Sequence, residues 1–373
     1  MNAIKNKFSK DILEIIETLA GLAGVFGMNL YFVGGLVRDL LMGCAIQDVD
    51  IVVEGNAIVF CSSAAVQGVL KIKSTHTDFK TVKTEINGVE IDFASTRQEE
   101  YPQSGCLPVV TNIGCPLKED VSRRDFTINA IALDLSTFKL IDYLGGTKDL
   151  ENKVLKITYD TSFIDDPTRI LRGLDFRLRF GFELDEHTRK MQEEYLKNPQ
   201  RCGLSYARVD LTLKKLFKNV NPEKAYEHIV QEKMYKIFTD TKPELNAEEL
   251  RAARKICGGS ADVFMRALKN DFPGKTLVGQ DSVDIYNFFK GFSSDDLTLY
   301  FAKSKDMRVL EFKNKLENVK IKTTGNDLIA MGFSEGKLIG EILKGILSEN
   351  LKGQMTAAEE KQWVLSNYKS HQA

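Results

Sequence analysis

Strand-like sequence patterns are confined to the first part of this 373-residue chain. Short apolar runs bounded by glycine turns occur up to about residue 150, whereas the remainder shows apolar residues at helical spacing, with capping residues between the periodic segments. A chain with this asymmetry cannot build regular β-α-β units along its whole length. The sequence therefore predicts an α+β fold, in which a small mixed sheet with helices is followed by an all-helical part.

Composition and charge narrow the class of protein. No apolar run is long enough to span a bilayer, and the N-terminal segment lacks the features of a signal peptide, so no membrane segment is expected. The six cysteines form no CxxC pair, which argues against a zinc site and fits a reducing, cytoplasmic location. The net charge of −1 neither favours nor excludes a nucleic-acid partner. An RNA-binding surface must therefore come from local basic patches.

An adjacent glycine pair follows the first apolar strand. Gly34 and Gly35 come directly after the strand that ends at Val33, and a helix containing Arg38 follows. Glycines allow backbone N–H groups to approach an anion closely, and the start of a helix favours negative charge. Arg38 could add a charge-assisted contact to phosphate. The alternative interpretation is a tight turn followed by a surface arginine.

Two aspartates stand at the start of the next apolar strand. The spacing of Asp48 and Asp50 places both carboxylates on one face of a strand. Neighbouring carboxylates repel each other and are most easily tolerated around a divalent cation, and oxygen ligands favour magnesium or manganese. Two solvated aspartates at a strand edge are the other interpretation.

A third acid is expected on a neighbouring strand if the chemistry is two-metal phosphoryl transfer. Asp92 lies in such a strand, within a predicted hairpin that turns at Asn87-Gly88. Asp92 is the predicted catalytic carboxylate that deprotonates or aligns the attacking hydroxyl. Glu90 shares its face of the strand, so the choice between these two acids stays open at this point.

A basic-acidic segment follows a long connection. Residues 98–118 contain prolines and glycines without a clear period and predict a long mobile loop. A helix is predicted to start near Arg124 and to run through residues 128–133. Arg123, Arg124 and Asp125, with Asn129, suit the binding of a triphosphate and a ribose. A capping acid with two exposed arginines is the alternative.

In this order the segments resemble the class II tRNA nucleotidyltransferase and bacterial poly(A) polymerase family, within the polymerase-beta superfamily. The resemblance covers roughly residues 28–185 and 321–357. The matching segments are GGLVRDLLMGCAIQDVDIVVEG for the catalytic motif, SRRDFTINAIAL for the ribose and triphosphate motif, DYLGGTKDLENKVLKI for the hinge, DDPTRILRGLDFRLRFGF for the base-reading helix, and TTGNDLIAMGFSEGKLIGEILKGILSENLKG for the tail. One departure is Asp165-Asp166, where the family often has Glu-Asp.

The resemblance implies a polymerase-beta-type nucleotidyltransferase head followed by three helical parts. The implied bounds are 1–143 for the catalytic head, 144–205 for a neck that recognises the base, 206–320 for a body and 321–373 for a tail that binds tRNA. Between about 205 and 320 the sequence itself shows only helical periodicity.

The resemblance also assigns the site. It implies that Asp48 and Asp50 bind two magnesium ions and that Asp166 and Arg169 read the base. A carboxylate can accept a hydrogen bond from the exocyclic amine of C or A, and a guanidinium can donate to the neighbouring ring acceptor, whereas G and U present the opposite pattern. The predicted nucleotide-binding residues are Gly34, Gly35, Arg38, Arg123, Arg124, Asp125, Asn129, Asp166, Arg169 and Arg172.

The implied function is template-independent addition of C and A to the 3′ acceptor end of tRNA from CTP and ATP, with no DNA partner expected. A poly(A) polymerase and an enzyme that adds only A or only CC are the alternatives. Family members that stop at CC tend to lack an extended flexible loop, so the segment from Glu99 to Asp120 favours CCA or A-only addition. A small-molecule nucleotidyltransferase shares the aspartates but lacks the base-reading helix and the tail. Intact Asp48, Asp50 and Arg124 argue against an inactive RNA-binding relative.

Overall fold

A computed structural model describes residues 2–45 and 48–368 of the chain. The chain separates into two compact units, residues 1–240 and 241–373. The finer division into head, neck, body and tail stays a prediction. In the described part of the chain, no helix combines the length and the apolar character needed to cross a membrane.

The first unit is built on a mixed seven-stranded sheet, which we call the head sheet, and a separate two-stranded ribbon, β6–β7. The strands are β1 (Asn29–Val33), β2 (Asp50–Glu54), β3 (Lys71–His76), β4 (Thr81–Ile86), β5 (Val89–Ser95), β6 (Arg97–Glu100), β7 (Val109–Ile113), β8 (Ala132–Asp134) and β9 (Leu140–Ile141). The order across the head sheet is β3-β4-β5-β2-β1-β8-β9. Strands β2 and β5 pair in parallel, and the other neighbours are antiparallel. The predicted mixed sheet is thus confirmed.

The hairpin predicted from the Asn-Gly pair is confirmed. It joins β4 to β5, and Asn87 and Gly88 both have positive φ, at 51° and 80°. Two successive residues with positive φ are what a tight two-residue hairpin turn requires, and Asn-Gly meets this need at low steric cost. The turn fixes the register of β4 against β5, which aligns Asp92 with Lys83.

Helices surround the head sheet and continue after it. They are α1 (Asn2–Lys5), α2 (Lys10–Val25), α3 (Gly35–Met42), α4 (Ala57–Val66), α5 (Leu117–Ser122), α6 (Gly146–Glu151), α7 (Ser162–Asp165), α8 (Thr168–Phe180), α9 (Glu186–Lys197), α10 (Tyr206–Asn219) and α11 (Pro222–Gln231). Helix α2 begins after Ser9 because the Ser9 hydroxyl accepts a hydrogen bond from the backbone N–H of Ile12. Two short strands, β10 (Val154–Leu155) and β11 (Glu183–Leu184), pair in parallel among these helices.

The two faces of the head sheet are covered unequally. One face packs against a large apolar cluster that includes Leu19 of α2 and Phe60 of α4. The other face carries a smaller cluster, in which Val52 of β2 packs with Leu117 and Val121 of α5. Side chains two residues apart on a strand share a face, so Asp50 projects from the less covered face beside Val52.

The segment predicted as a long loop contains regular structure. Strands β6 and β7 form an antiparallel ribbon within residues 98–118, and α5 begins at Leu117. The prediction of an unstructured loop is therefore wrong in this respect. The sequence of β6, RQEE, has no apolar alternation, so its pattern did not indicate a strand.

The prediction of a helix that starts near Arg124 is also wrong. Helix α5 ends at Ser122, a single 3-10 turn spans Thr127–Asn129, and β8 follows. Strand β8 lies between β1 and β9, and Ala132 and Leu133 are fully buried within it. A strand buried on both faces reads as a continuous apolar run, which periodicity alone cannot distinguish from a buried helix.

In the described residues of the second unit, all regular secondary structure is helical, as predicted. Its helices are α12 (Ala247–Cys257), α13 (Asp262–Leu268), α14 (Ser282–Phe289), α15 (Ser294–Ser304), α16 (Arg308–Glu311), α17 (Gly325–Ala330), α18 (Lys337–Lys352) and α19 (Ala357–Asn367), with a π-helical turn at Phe312–Leu316. Helix α17 begins after Thr324, where Thr324 and Asp327 form a capping box. Two apolar clusters form the core of this unit.

Candidate active site

Two of the acids predicted from the sequence lie side by side in the head sheet. Asp50, the first residue of β2, pairs in register with Asp92 of β5, and Asp92 pairs on its other side with Lys83 of β4. The Lys83 Nζ lies 3.3 Å from Asp92 Oδ2. We call Asp50, Asp92 and Lys83 the carboxylate row. Asp48 precedes β2 by two residues.

Repulsion within this group appears in the acidity of Asp50. Burial of the carboxyl group, followed by the negative charge of Asp92, raises the pKa of Asp50, and the charge of Asp48 acts in the same direction. The positive charge of Arg124 opposes the shift. A cation bound at these oxygens relieves this repulsion.

The alternative third acid, Glu90, lies two residues before Asp92 on β5 and is not aligned with Asp50. It pairs in register with Glu85, and its carboxylate lies 4.0 Å from Lys73 Nζ. Its side chain is 81% exposed, compared with 47% for Asp92. The geometry thus brings Asp92, rather than Glu90, next to Asp50.

The donor atoms near the row fit a hard cation. In the described part of the chain, no group of three or more His, Cys, Asp or Glu side chains is arranged to hold a metal ion by itself. Magnesium is usually bound by one or two carboxylates, while substrate phosphates and water supply the other ligands. The oxygen-only pair Asp48 and Asp50 fits such a partial site.

The glycine turn before α3 makes room for an arginine. Gly34 has a φ of 71°, and a Cβ atom at this position would lie 3.1 Å from Arg124 Nη1. The buried Arg38 of α3 donates a hydrogen bond of 2.7 Å to Asn129 Oδ1, and its guanidinium lies 4.9 Å from the ring centroid of Phe176. Arg38 therefore ties the turn to Asn129 as well as facing the cavity described below.

Arg123 and Arg124 are organised by acids that the sequence did not single out. The Arg123 Nη2 lies 2.6 Å from Asp120 Oδ1, and its Nη1 lies 2.7 Å from Glu99 Oε2. The Arg124 Nη2 lies 3.1 Å from Asp120 Oδ2, while the buried Arg124 Nε has no hydrogen-bond partner among the described residues. Asp120 is fully buried. Arg124 is therefore better placed than Arg123 to contact an anion directly.

Asp125 holds Asn129 and the start of the 3-10 turn. Its Oδ1 accepts hydrogen bonds from the backbone N–H of Phe126 (2.8 Å) and from Asn129 Nδ2 (2.9 Å). Its Oδ2 lies 2.6 Å from Arg172 Nη2 on α8. Burial opposes ionisation, but the charge of Arg172 and the hydrogen bond from Asn129 hold the pKa of Asp125 below its usual value. Asp125, Asn129 and Arg172 thus form one connected group.

Asp166 precedes the predicted base-reading helix, α8. Its Oδ1 accepts hydrogen bonds from the Thr168 backbone N–H (3.1 Å) and hydroxyl (2.7 Å), which fixes the carboxylate at the helix start. The same oxygen lies 3.0 Å from Nη2 of Arg208 on α10. Arg208 also donates a hydrogen bond to the carbonyl oxygen of Gly105, in the connection between β6 and β7.

Arg169 is buried and donates to several oxygens. Its Nη1 donates to Ser162 Oγ (2.7 Å) and to the Tyr159 hydroxyl (3.0 Å). Its Nη2 donates to the Arg123 carbonyl oxygen (3.0 Å) and to the Tyr101 hydroxyl (3.2 Å). A base can form a hydrogen bond with Arg169 only by replacing one of these acceptors or by using its Nε.

One cavity collects most of the predicted residues. It has a volume of about 510 Å³, within the range of small-ligand pockets. Its walls include Gly34, Gly35, Arg38, Asp50, Arg123, Arg124, Asp125, Asn129, Asp166, Arg169 and Arg172. A second cavity of about 340 Å³ also contains Asp50, Arg123 and Arg124 in its lining and adds Lys83 and Asp92. Asp48 is the one predicted residue that lines neither of these two cavities in the described structure.

The chain matches known proteins in both sequence and structure. A family model described as the poly A polymerase head domain matches residues 30–156. The chain is 28% identical over 414 residues to an A-adding tRNA nucleotidyltransferase of Geobacter sulfurreducens, which covers 93% of this chain and 46% of the relative. Two solved structures are each 26% identical and cover 98% of this chain: a CCA-adding enzyme in complex with CTP, covered over 97% of its length (TM-score 0.77), and the Thermotoga maritima CCA-adding enzyme complexed with tRNA, covered over 98% (TM-score 0.74).

Residues 30–156 thus match the poly A polymerase head domain, and the chain as a whole is similar to A-adding and CCA-adding tRNA nucleotidyltransferases. The matched head domain spans the glycine turn, the carboxylate row and Arg124. The chain spans about half the length, or less, of the curated relatives it matches. These relatives include both A-adding tRNA nucleotidyltransferases and CCA-adding enzymes.

Five residues of this site were missed by sequence reasoning. Tyr101 and Arg208 contact the predicted base-reading pair, Asp120 binds both arginines, Glu99 binds Arg123, and Lys83 contacts Asp92. Asp120 stands three and four residues before Arg123 and Arg124, so helical spacing could have suggested it. The other four approach the site through tertiary packing, for which the local sequence gives no signal.

Proposed function

We propose that this protein is a template-independent tRNA nucleotidyltransferase that adds C and A to the 3′ end of tRNA from CTP and ATP. The observation that carries the proposal is the cavity in which Asp50, Arg124, Asp166 and Arg169 face one volume. A metal-binding acid, a phosphate-binding cation and a base-reading pair are the three groups that untemplated nucleotide transfer requires.

The acids divide the catalytic work. Asp48 and Asp50 are the residues that hold magnesium, which supplies charge stabilisation for the reacting phosphate when it is bound. Asp92 accepts the proton of the RNA 3′ hydroxyl or aligns that hydroxyl for attack on the α-phosphate. The attacking oxygen forms the new phosphodiester bond as the bond to pyrophosphate breaks. The raised pKa of Asp50 is expected to fall once a cation is bound.

The cations and amides hold the triphosphate and the sugar. Asp120 binds only the Nη2 of Arg124, and the Nη1 lies against the Gly34 turn, so Arg124 is the principal phosphate contact in this proposal. Arg123 acts mainly by orienting this neighbourhood, because Glu99 and Asp120 already bind its guanidinium. Asn129, fixed by Asp125 and Arg38, serves the ribose.

The base is read by Asp166 and Arg169. The Asp166 carboxylate, held by Thr168 and Arg208, accepts a hydrogen bond from the exocyclic amine of C or A. Arg169 donates to the adjacent ring acceptor. U and G leave the half-buried Asp166 carboxylate or the buried Arg169 guanidinium without a matching partner, which costs free energy and excludes these bases.

Addition of A alone is the second candidate, because the first three curated relatives are A-adding tRNA nucleotidyltransferases at 28%, 42% and 36% identity. The base-reading edge that C and A share does not distinguish the two activities. Poly(A) synthesis uses the same site with another RNA and differs in where extension stops.

Three tRNA substrates separate these activities: one lacking CCA, one lacking CA and one lacking only the terminal A. Each is incubated with the enzyme, magnesium and CTP, ATP or both, and the products are resolved at single-nucleotide length. CCA addition extends all three and stops at CCA, whereas A-only addition extends only the third. Extension past CCA indicates poly(A) synthesis. Failure to extend any of the three, with the protein folded and Asp50→Asn as the blank, would contradict the proposal.

A further inference from the structure

The second cavity places a lysine beside the catalytic acids. Lys83, Asp92 and Asp50 occupy successive cross-strand positions in the carboxylate row, and all three line this cavity. Its volume of about 340 Å³ lies at the lower end of the range for small-ligand pockets, and it lies against Asp50 from the β4–β5 side. The proposed nucleotide site uses the larger cavity, so this smaller one is unassigned.

Lys83 is the exposed cation of the smaller cavity. Its side chain is 60% exposed, whereas those of Arg97, Arg123 and Arg124 are 14%, 21% and 20% exposed. The arginines are also bound by Glu99 or Asp120 at 2.6 to 3.1 Å, while Lys83 has a looser contact of 3.3 Å with Asp92. Lys83 is therefore the cation that can most easily change partner.

Metal binding changes the electrostatics around Lys83. A divalent cation at Asp48 and Asp50 would be the largest local charge. It would repel the ammonium group of Lys83 and attract the Asp92 carboxylate, which weakens the contact between these two side chains. The ammonium then needs another anion within reach of its flexible four-carbon side chain. An RNA strand whose 3′ hydroxyl faces Asp92 also brings its backbone phosphates towards the carboxylate row, and Lys83 is the cation at the end of that row.

We propose that the smaller cavity receives the terminal nucleotide of the acceptor RNA and that Lys83 binds a phosphate at this end. This inference rests on the proposed function for the identity of the RNA. Lys83 is a positioning residue in this scheme, because it holds the RNA end next to Asp92 and takes no part in the bond exchange itself. Without metal it pairs with Asp92, and with metal it pairs with the RNA.

The test compares Lys83→Met with a matched control, Lys5→Met. Lys5 is also an ion-paired lysine, 3.0 Å from Glu17, but it lies beside α2, which packs on the opposite face of the head sheet. The affinity of each variant for a tRNA lacking its terminal A is measured by filter binding at several salt concentrations, with magnesium present and nucleotide absent. Steady-state KM values for tRNA and for ATP are measured in parallel.

Lys83→Met should weaken tRNA binding by roughly three- to tenfold at low salt and reduce the slope of log affinity against log salt by about 0.7, as expected for one lost phosphate contact on a single strand. The KM for tRNA should rise while the KM for ATP stays unchanged, and Lys83→Arg should restore both tRNA measurements. Lys5→Met should match the parent protein.

Two results distinguish failure of this inference from failure of the proposed function. If Lys83→Met lowers the magnesium concentration needed for activity but leaves tRNA affinity and the salt slope unchanged, Lys83 only neutralises Asp92 and the inference is wrong. If the parent protein binds the tRNA with the predicted Lys83 dependence but incorporates no nucleotide, the inference stands and the proposed function fails.

Discussion

The Nη2 of Arg169 donates a 3.2 Å hydrogen bond to the hydroxyl of Tyr101, which joins the proposed base-reading helix to the start of the β6–β7 connection. Tyr101 lines the nucleotide cavity, and burial raises the pKa of its hydroxyl, which stays protonated at neutral pH. An incoming base that uses the same Nη2 must displace this oxygen. Tyr101 and the base are thus competing acceptors for Arg169.

Tyr101→Phe should therefore strengthen nucleotide binding. Removing one competing neutral hydrogen bond, worth about 1 kcal/mol, lowers the KM for CTP and ATP by roughly fivefold and leaves kcat unchanged. Tyr159→Phe is the control, because the Tyr159 hydroxyl also accepts from Arg169 but does not line the cavity. A higher KM in Tyr101→Phe would mean that Tyr101 orients Arg169 instead of competing with the base.

Arg169→Lys should reduce base selection more than catalysis by the acids. The substitution keeps the charge but loses the planar fork, which costs on the order of 1–3 kcal/mol in one buried contact. CTP and ATP use should slow by about ten- to a hundredfold, and discrimination against UTP and GTP should shrink. Incorporation of each of the four triphosphates measures this. An unchanged preference for C and A at a reduced rate would place base reading elsewhere.

Asp92→Asn should abolish incorporation, whereas Glu90→Gln should leave it close to the parent level. Asp92 is aligned with Asp50 in the sheet, whereas Glu90, two residues before it on β5, is aligned with Glu85. Loss of a positioned general base typically costs about a hundred- to ten-thousandfold in rate. Single-turnover incorporation, with enzyme in excess over tRNA, isolates the chemical step. Equal effects of the two substitutions would contradict the assignment of Asp92.

Asp120→Asn should destabilise the head. Asp120 is fully buried and accepts hydrogen bonds from Arg123 (2.6 Å) and Arg124 (3.1 Å), so the neutral amide leaves two cations undercompensated, at a cost of about 3–5 kcal/mol. Urea unfolding midpoints measure the loss, and Glu119→Gln, which removes an exposed acid on the same helix, is the control. Comparable decreases of the urea midpoint in both variants would show that the burial of Asp120 does not account for the loss of stability.

The same acid makes a pH-dependent contribution. Burial opposes its ionisation, but the charges of Arg124 and Arg123 hold the pKa of Asp120 below its usual value. A carboxyl group with a lowered folded-state pKa stabilises the fold above its unfolded pKa, about 3.9, and this stabilisation is lost as the pH falls through the folded value. The stability difference between the parent and Asp120→Asn should therefore be full at neutral pH and shrink below about pH 4.

The local signals in the sequence were sufficient for the parts of the site that are close in the chain. The glycine turn, the strand that begins at Asp50 and the start of α8 each depend on residues within a few positions, so spacing predicts their geometry. The Asn87-Gly88 turn also predicts the hairpin that contains Asp92. The alignment of Asp92 with Asp50, and therefore the choice of Asp92 over Glu90, depends on the pairing of β5 with β2.

The features that could not be predicted from the sequence depend on tertiary packing. Strand β6 consists of polar residues and forms only because β7 pairs with it. The apolar run at β8 was interpreted as a helix because its burial on both faces comes from its neighbours β1 and β9. Arg208 reaches Asp166 from α10, and no spacing rule connects these two positions.

The C-terminal lysines provide the last prediction, which concerns tRNA affinity. Lys337 and Lys344 are exposed on α18, and neither makes an ion pair within the described residues, whereas Lys352 lies 2.8 Å from Glu349. Deleting residues 321–373 is an unsuitable test, because Leu351 of α18 belongs to the apolar core around Phe289 and its loss opens a cavity there.

The double substitution Lys337→Gln and Lys344→Gln preserves this core. If both lysines bind phosphates of the acceptor arm, tRNA affinity should fall and the slope of log affinity against log salt should decrease by about 1.8, which corresponds to two lost contacts to duplex RNA treated like a B-form helix. Lys352→Gln is the control. Its ammonium group is already paired with Glu349, so this substitution should reduce tRNA affinity less. Unchanged affinity and slope in the double variant, with an unchanged unfolding midpoint, would mean that these lysines form only a solvated surface.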